Sequence, residues 1–314
     1  MRISVIIPTH NPDPVRLHRT LMGLAEQTLS RSDWETVIVD NASTRFPDAE
    51  FFSRVALPGL RIVPEPALGL ASARCRGFSE AQGAFCVLVD DDNVLAPDYI
   101  AQVACLFAAQ PRVGAIGGAS IPDFERPPLA WQREFLGLLA LRDLGPSPLI
   151  SRGLRPDGAA RNEYPTFAPI GAGLAIRREA AAVWTVRAAS RSFTDRRGDE
   201  LTSSGDNDIV LTIMKSGWEV AYFPELRLTH LIPSSRLEPE YLARLNRGTQ
   251  KSWMQVLAFH DANPWRPLTS TGAALRQMKA WLTYRAWSSP AARVRWQGAC
   301  GHFSGRVRLS YPAP

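Results

Sequence analysis

The run Phe85-Cys86-Val87-Leu88-Val89, followed at once by Asp90-Asp91-Asp92, constrains the fold more than any other stretch of the chain. Apolar residues in unbroken succession, with no polar alternation, predict a strand buried on both faces, as the central strands of a parallel sheet are. In an open α/β sheet ligands bind outside the carboxyl ends of the strands, so the three carboxylates stand where a substrate would. Their mutual repulsion favours a cation between them. A hard divalent ion, Mn²⁺ or Mg²⁺, takes one or two carboxylates and completes its shell with water and phosphate oxygens. The plainer reading of the same residues is a solvated acidic turn capping a helix that starts near Pro97.

The first half of the chain repeats this pattern. Ile3 to Ile7 predicts a first strand left through Pro8-Thr9-His10-Asn11. Asp13 is a good N-cap and Pro14 a good first helical residue, with Leu17, Leu21 and Leu24 recurring on one face. Thr36 to Val39 predicts a second strand ending in Asp40-Asn41, Leu60 to Val63 a short third, and Leu68 to Gln82 a helix carrying Arg74 and Arg76. This alternation predicts parallel strands with helices on both faces and right-handed crossovers, half of a Rossmann-like fold. Neither a Gly-x-Gly-x-x-Gly turn nor a Gly-x-x-x-x-Gly-Lys-Ser/Thr loop is present, so phosphate would be held through a metal and arginines.

Downstream, a helix is expected from Pro97 to about Gln110 and a glycine-loosened strand from Val113 to Gly118. Between Pro122 and Pro169 only Trp131 to Leu141 reads as helix, and so long an irregular section is more often a lid or insertion than scaffold. Phe167 to Ile176 is expected to be a strand with Gly171 and Gly173 at its centre, where glycine admits another group close to the backbone. Gly205-Asp206-Asn207-Asp208 opens an amphipathic helix that Gly217 ends; one of these aspartates as a mere N-cap is the duller explanation. Trp218 to Phe223 and Leu226 to His230 read as two strands, and Glu238 to Phe259 as a long helix.

The 314 residues, 45% hydrophobic, suffice for one large α/β domain or a domain with an appended lobe. No apolar run approaches the roughly 20 residues that span a bilayer, and the N-terminus passes directly into a strand, so a cytoplasmic location is expected. Cys75, Cys86, Cys105 and Cys300 have no Cys-x-x-Cys spacing and are expected to be reduced. Beyond Asp261 the chain has eight cations and no acid, so with a total of +6 the preceding part carries −2. Such a segment suits an anionic partner. Trp265, Trp281, Tyr284, Trp287, Trp296 and Phe303 are interleaved with those cations, which suits peripheral attachment to an anionic membrane surface; burial of the same rings against the rest of the protein is the equal alternative.

Taken together, Val5-Ile6-Ile7-Pro8-Thr9-His10-Asn11, Val37-Ile38-Val39-Asp40-Asn41-Ala42-Ser43, Gly69-Leu70-Ala71-Ser72-Ala73-Arg74 and Val89-Asp90-Asp91-Asp92 resemble the successive motifs of family 2 glycosyltransferases with the GT-A fold. Gly171-Ala172-Gly173, the helix start at Gly205-Asp206-Asn207-Asp208, and His230 with Ile232-Pro233 and Arg236 extend the resemblance over about residues 1 to 260. It implies a mostly parallel α/β sheet flanked by helices, as a catalytic domain over 1–237 with the donor side in about 1–120 and the acceptor side in about 121–237. A helical, basic extension over 238–314 would follow.

The resemblance also implies roles. Pro8, Thr9 and His10 would line the base and ribose pocket, Asp40 would accept hydrogen bonds from the base, and Arg74 would face base or diphosphate. Asp90 and Asp91 would lie on the donor, Asp91 near the ribose. Asp92 and His230 would hold the divalent metal, and Arg236 would clamp the departing diphosphate through its planar fork. Asp206 matches the general base of inverting members; where they often have Glu-Asp this chain has Gly205-Asp206, so either that Glu is dispensable or Asp208 shares its work, and the base lies between Asp206 and Asp208. The partners implied are a nucleoside diphosphate sugar donor and a glycan or lipid-linked acceptor, with no nucleic acid. Two rivals stand beside this reading: a sugar-1-phosphate nucleotidyltransferase, and a non-catalytic module that binds an anionic surface through its basic tail.

Overall fold

The computed structural model describes residues 2–151, 164–187 and 201–307. The chain divides into two compact units, the first made of 1–125, 140–192 and 205–232, the second of 126–139, 193–204 and 233–314.

In the first unit the unbroken apolar runs do become interior strands. β1 (Ile3–Thr9) is buried along its whole length and pairs in parallel with β2 (Trp34–Asp40) on one side and β4 (Phe85–Leu88) on the other. β3 (Arg61–Pro64) adds to β2, again in parallel. The helices between them are α1 (Pro14–Ala25), α2 (Ala49–Ser53) and α3 (Leu70–Glu80). Asp13 caps α1, accepting from the Val15 and Arg16 amides as its position before Pro14 requires. After β4 come β5 (Asn93–Leu95), α4 (Tyr99–Ala109), β6 (Val113–Phe124), β7 (Leu149–Ile150), β8 (Ala175–Arg177), α5 (Arg178–Arg187), α6 (Gly205–Lys215) and β9 (Glu219–Ile232).

The strand order is β3-β2-β1-β4-β8-β6-β9-β5, with β7 also on β9. β6 and β9 are parallel to each other, whereas β8 runs antiparallel to both its neighbours and β5 antiparallel to β9. The expected α/β class with a mostly parallel, helix-flanked sheet is therefore what forms. Two apolar layers cover the sheet. One gathers Ile3, Val5, Ile7, Leu17, Leu21 and Phe107; the other gathers Ile6, Val37, Val39, Phe78, Trp184 and Ile213. Alternate residues of β1 thus enter opposite layers, as a strand buried on both faces demands.

Three expectations change. Phe167 to Ile176 is not a strand: only Ala175–Arg177 pairs, because Gly173 takes φ 74° and its carbonyl accepts from the buried Tyr99 hydroxyl, turning the chain out of the ladder. The two strands expected on either side of Pro224 are one, β9, interrupted opposite Gly118 by a register shift that absorbs the proline. The segment from Trp131 to Leu141 forms a 3₁₀ helix over Ala130–Leu139.

The second unit carries the expected C-terminal helices: α7 (Pro239–Phe259), α8 (Ser270–Thr283) and α9 (Pro290–Gly305). Gly298, Gly301 and Gly305 fall on one face of α9, and a Cβ at any of them would collide with Asn246 or with the α7 carbonyls of Arg247 and Lys251. Small residues at this spacing let the two backbones approach closely. Among the described residues no helix is long and apolar enough to cross a membrane, and all four cysteines are free thiols. Arg308, one of the eight C-terminal cations, lies outside the described residues.

Candidate active site

The two ends of the parallel strands treat acids differently. At the amino end of β2, Glu35 is buried, and burial by itself would raise its pKa. Hydrogen bonds from the Ser4 hydroxyl at 2.6 Å and the Gln82 amide at 2.8 Å, with the Arg61 guanidinium at 3.1 Å, outweigh that and hold the carboxyl below its usual range. This acid is a structural one, neutralised inside the protein.

At the carboxyl end the acids stand at the exits of β2 and β4, the two strands that flank β1. The register pairs Thr9 with Asp40 and Ile6 with Leu88, so the last residues of β1 and β2 lie level with the acidic turn after β4. The Thr9 hydroxyl donates to Asp91 Oδ2, tying the β1 exit to that turn. Asp40, half-buried, receives the Ser43 amide on Oδ1 at 3.1 Å. His10 is clipped into the same edge, its Nδ1 2.7 Å from the Asn41 carbonyl and its Nε2 3.1 Å from Asn11 Nδ2. Asn11 in turn accepts the Thr44 and Arg45 amides from a left-handed conformation, φ 49°. An open cleft of about 820 Å³ begins at Asn11 and is lined by Arg16, Arg45, Phe46 and Phe51.

Asn41, quoted in the motif without a role, is the fastener of this edge. Buried, it donates to the carbonyls of Glu65 and Ala67 at 3.1 and 2.8 Å and accepts the Gly69 amide at 2.7 Å, so one side chain fixes the exit of β2 against the entry of α3. That entry sets Arg74, which is buried and not a surface charge; a Cβ placed on Gly171 would sit 2.8 Å from its Nη2. Glycine at 171 is thus what admits the guanidinium.

Asp92 and His230 meet across the β5–β9 pair. Asn93 is the register partner of His230, the Leu231 amide donates to the Asp92 carbonyl at 2.9 Å, and His230 Nε2 lies 3.3 Å from Asp92 Oδ1. Asn93 Nδ2 also donates to Oδ1 at 3.1 Å. Among the described residues no group of three or more His, Cys, Asp and Glu is arranged around one point, so a metal here would draw two ligands from the protein. The pair fits that use: neighbouring donors of an octahedral ion with bonds of about 2.1 Å stand roughly 3 Å apart, and the remaining positions suit phosphate oxygens and water. Imidazole beside carboxylate favours Mn²⁺ over Mg²⁺.

The two aspartates that open α6 have different surroundings. Asp208 is buried, its Oδ2 accepting the indole N–H of the fully buried Trp184 at 2.7 Å. Asp206 is half-buried beside Gly171, its Oδ2 accepting the Gly171 amide at 2.8 Å and its Oδ1 the Asn207 amide at 2.9 Å. Each carboxylate oxygen keeps a second lone pair.

Two further residues join Asp206 that sequence reading did not single out. The Tyr164 hydroxyl donates to Asn207 Oδ1 at 2.8 Å. Burial, and then the Asp206 charge, push its pKa well above the usual range against the opposing pull of Arg142, so it stays a neutral donor. Arg142 arrives through a β-bridge with Ser120 and donates to the Ala168 carbonyl. Burial lowers its pKa from the ordinary arginine value while Tyr164 and Asp206 act in the opposite sense. Neither lies in a periodic segment; the one available signal was an arginine and a tyrosine within the irregular 122–169 stretch. Arg236 is on the 3₁₀ turn Ser234–Leu237, which belongs to the second unit.

The profile of the family described as Glycosyl transferase family 2 matches residues 4–184. The chain belongs to this family. The match takes in Asp40, Arg74 and the acidic turn and ends at Trp184. Among named relatives, the glucosyl-dolichyl phosphate glucuronosyltransferase of Haloferax volcanii is 23% identical over 193 residues, 60% of this chain and 56% of that protein. The validoxylamine A glucosyltransferase of Streptomyces hygroscopicus subsp. limoneus is 33% identical over 108 residues, 34% of this chain and 24% of that one. The chain thus spans about half or less of the length of these relatives. The solved structure of GalNAc-T7 with UDP, GalNAc and Mn²⁺ superimposes with a TM-score of 0.54 at 16% identity, covering 82% of this chain and 48% of that one. The likeness is one of fold, and the fold is GT-A.

Proposed function

We propose that the chain transfers a sugar from a nucleoside diphosphate donor to a hydroxyl of a glycan or lipid-linked acceptor, with inversion at the anomeric carbon and with a divalent cation. The observation that carries this reading is the placement of Asp206. It is a half-buried carboxylate anchored through Gly171 beside the Arg74 guanidinium, in the unit whose strand exits carry Asp40, Asp91 and the Asp92–His230 pair. A sugar-1-phosphate nucleotidyltransferase does not follow from family 2 membership, and a purely basic binding module leaves this convergence of acids without a use.

The steps assigned to the chain's own groups are few. Asp40 accepts hydrogen bonds from the base, while Pro8, Thr9, His10, Asp90 and Asp91 line the base and ribose. Asp206 takes the proton of the acceptor hydroxyl as that oxygen bonds to the anomeric carbon; the bond to the diphosphate oxygen breaks on the opposite face and the diphosphate leaves with its electron pair. Arg74 opposes the charge that grows on the leaving group. Asp92 and His230 would hold a divalent ion, which would supply further neutralisation of that charge. Asp208, held by Trp184, positions the start of α6 and so the carboxylate two residues earlier.

Donor binding is tested by melting the protein with UDP, GDP, dTDP, ADP and CDP, each with and without Mn²⁺. A ligand that binds only the native state adds about 2.7 kcal/mol at a hundredfold excess over its Kd. One or two diphosphates are expected to raise the melting temperature with Mn²⁺ present and to do little without it. A flat response across the panel contradicts the donor class.

A further inference from the structure

Helix α8 presents three faces. Ala273 and Ala280 are buried, and between them Gln277 donates to Ser304 Oγ of α9 at 3.0 Å while its carbonyl accepts the Trp296 indole N–H at 3.1 Å, so this face is fixed to α9. At 100° per residue, Leu275, Met278, Trp281 and Leu282 fall together on another face, and they are 57%, 60%, 40% and 57% exposed. Trp287, also exposed, packs its ring against Trp281 with centroids 4.4 Å apart and extends the strip past the helix end. The remaining face carries Arg276 and Lys279.

The charges around the strip have one sign. Arg293 and Arg295 are matched by Glu240 and Glu134. Arg266, Arg276, Lys279 and Arg285 form no ion pair among the described residues, and no acid occurs after Asp261. Scattered exposed apolar residues need no explanation, but a continuous ridge of Leu, Met and Trp does.

We propose that this face of α8, with the Trp281–Trp287 pair, seats on the surface of an anionic lipid bilayer. Leucine and methionine enter the acyl boundary, indoles suit the headgroup level, and unmatched cations meet lipid phosphates. A second copy docking symmetrically through the same strip would bring Lys279, which borders the strip beside Leu275, toward its own counterpart, which disfavours it. The inference goes beyond glycosyl transfer and does not depend on it.

The test is sedimentation of the full chain with vesicles of phosphatidylcholine, with and without phosphatidylglycerol, at low and raised salt. Binding to the anionic vesicles, release by salt and indifference to neutral ones are expected. Lys279→Gln with Arg285→Gln should lower the partition by about tenfold or more, since each basic residue near the surface contributes roughly fivefold. Met278→Ser with Leu282→Ser should also weaken it about tenfold, with an unchanged melting curve because both side chains are exposed. No anionic binding, or binding indifferent to both double variants, overturns the proposal. So does self-association without lipid that Met278→Ser with Leu282→Ser abolishes, because the strip would then belong to a second copy.

Discussion

Asp206→Asn is expected to lower kcat by about 10²-fold or more while the affinity for the donor stays nearly constant, because a general base contributes in the transition state and not in the ground state. Asparagine keeps one of the two acceptors that face the Gly171 and Asn207 amides, so the cost in stability is about 1 kcal/mol. That is smaller than the roughly 2.7 kcal/mol that a hundredfold rate loss represents. Asp208→Asn should show the opposite balance. Its carboxylate is buried against the Trp184 indole, so the substitution should reduce stability by about 1–2 kcal/mol and leave kcat within a few fold. Rate assays paired with urea melts of both variants separate the cases. Equal losses of kcat would return the base to the pair, and a loss at Asp206 matched by a fall in melting temperature would make it a cap.

Asp92→Asn should remove Mn²⁺-dependent affinity for the nucleoside diphosphate by about 10²-fold or more. Losing a group that merely orients a metal ligand already costs 10–100-fold, and a direct ligand costs at least as much. The fold should not suffer. Three successive carboxylates repel one another, and asparagine still offers an oxygen to Asn93 Nδ2, so the metal-free melting temperature should hold or rise. His230→Ala should show the same loss of metal dependence. Unchanged Mn²⁺-supported binding in either variant, measured by calorimetric titration, would contradict the assignment.

The strands that fix the site were legible because each is an unbroken apolar run ending in a polar residue, as at Val39-Asp40 and Val89-Asp90. Such a run has one stable place, the middle of a covered sheet, and its end then falls at the ligand edge. The helix start at Asp13 was legible for a related reason, since capping chemistry is local. Neither aspartate opening α6 proved to be an N-cap, because α6 already starts at Gly205 and their carboxylates hold Gly171, Asn207 and Trp184. What escaped depends on distant partners. β5 is three residues long and exists because Asn93 finds His230 across the sheet, a pairing no local pattern announces. The irregular course after Phe167 follows from the Tyr99 hydroxyl on the Gly173 carbonyl, while a run of apolar residues with two glycines reads locally as strand. Arg142 is brought near Asp206 by its bridge to Ser120, and Tyr164 by its hydrogen bond to Asn207, neither of which a local pattern announces. The division of labour between Asp206 and Asp208 was open for the same reason: Trp184, which occupies Asp208, lies on a helix with no marked periodic signal of its own.

The central claim is an inverting transfer from a nucleoside diphosphate sugar, and the anomeric configuration of the first product tests it most directly. The protein is incubated with Mn²⁺ and the donor that stabilises it, and the sugar first released to water or to an added acceptor is followed by proton NMR before mutarotation. The account predicts a nucleoside diphosphate appearing in step with a sugar of inverted configuration, and both forming slower by about 10²-fold or more with Asp206→Asn. A first product of retained configuration, or a nucleoside monophosphate in place of the diphosphate, would contradict it.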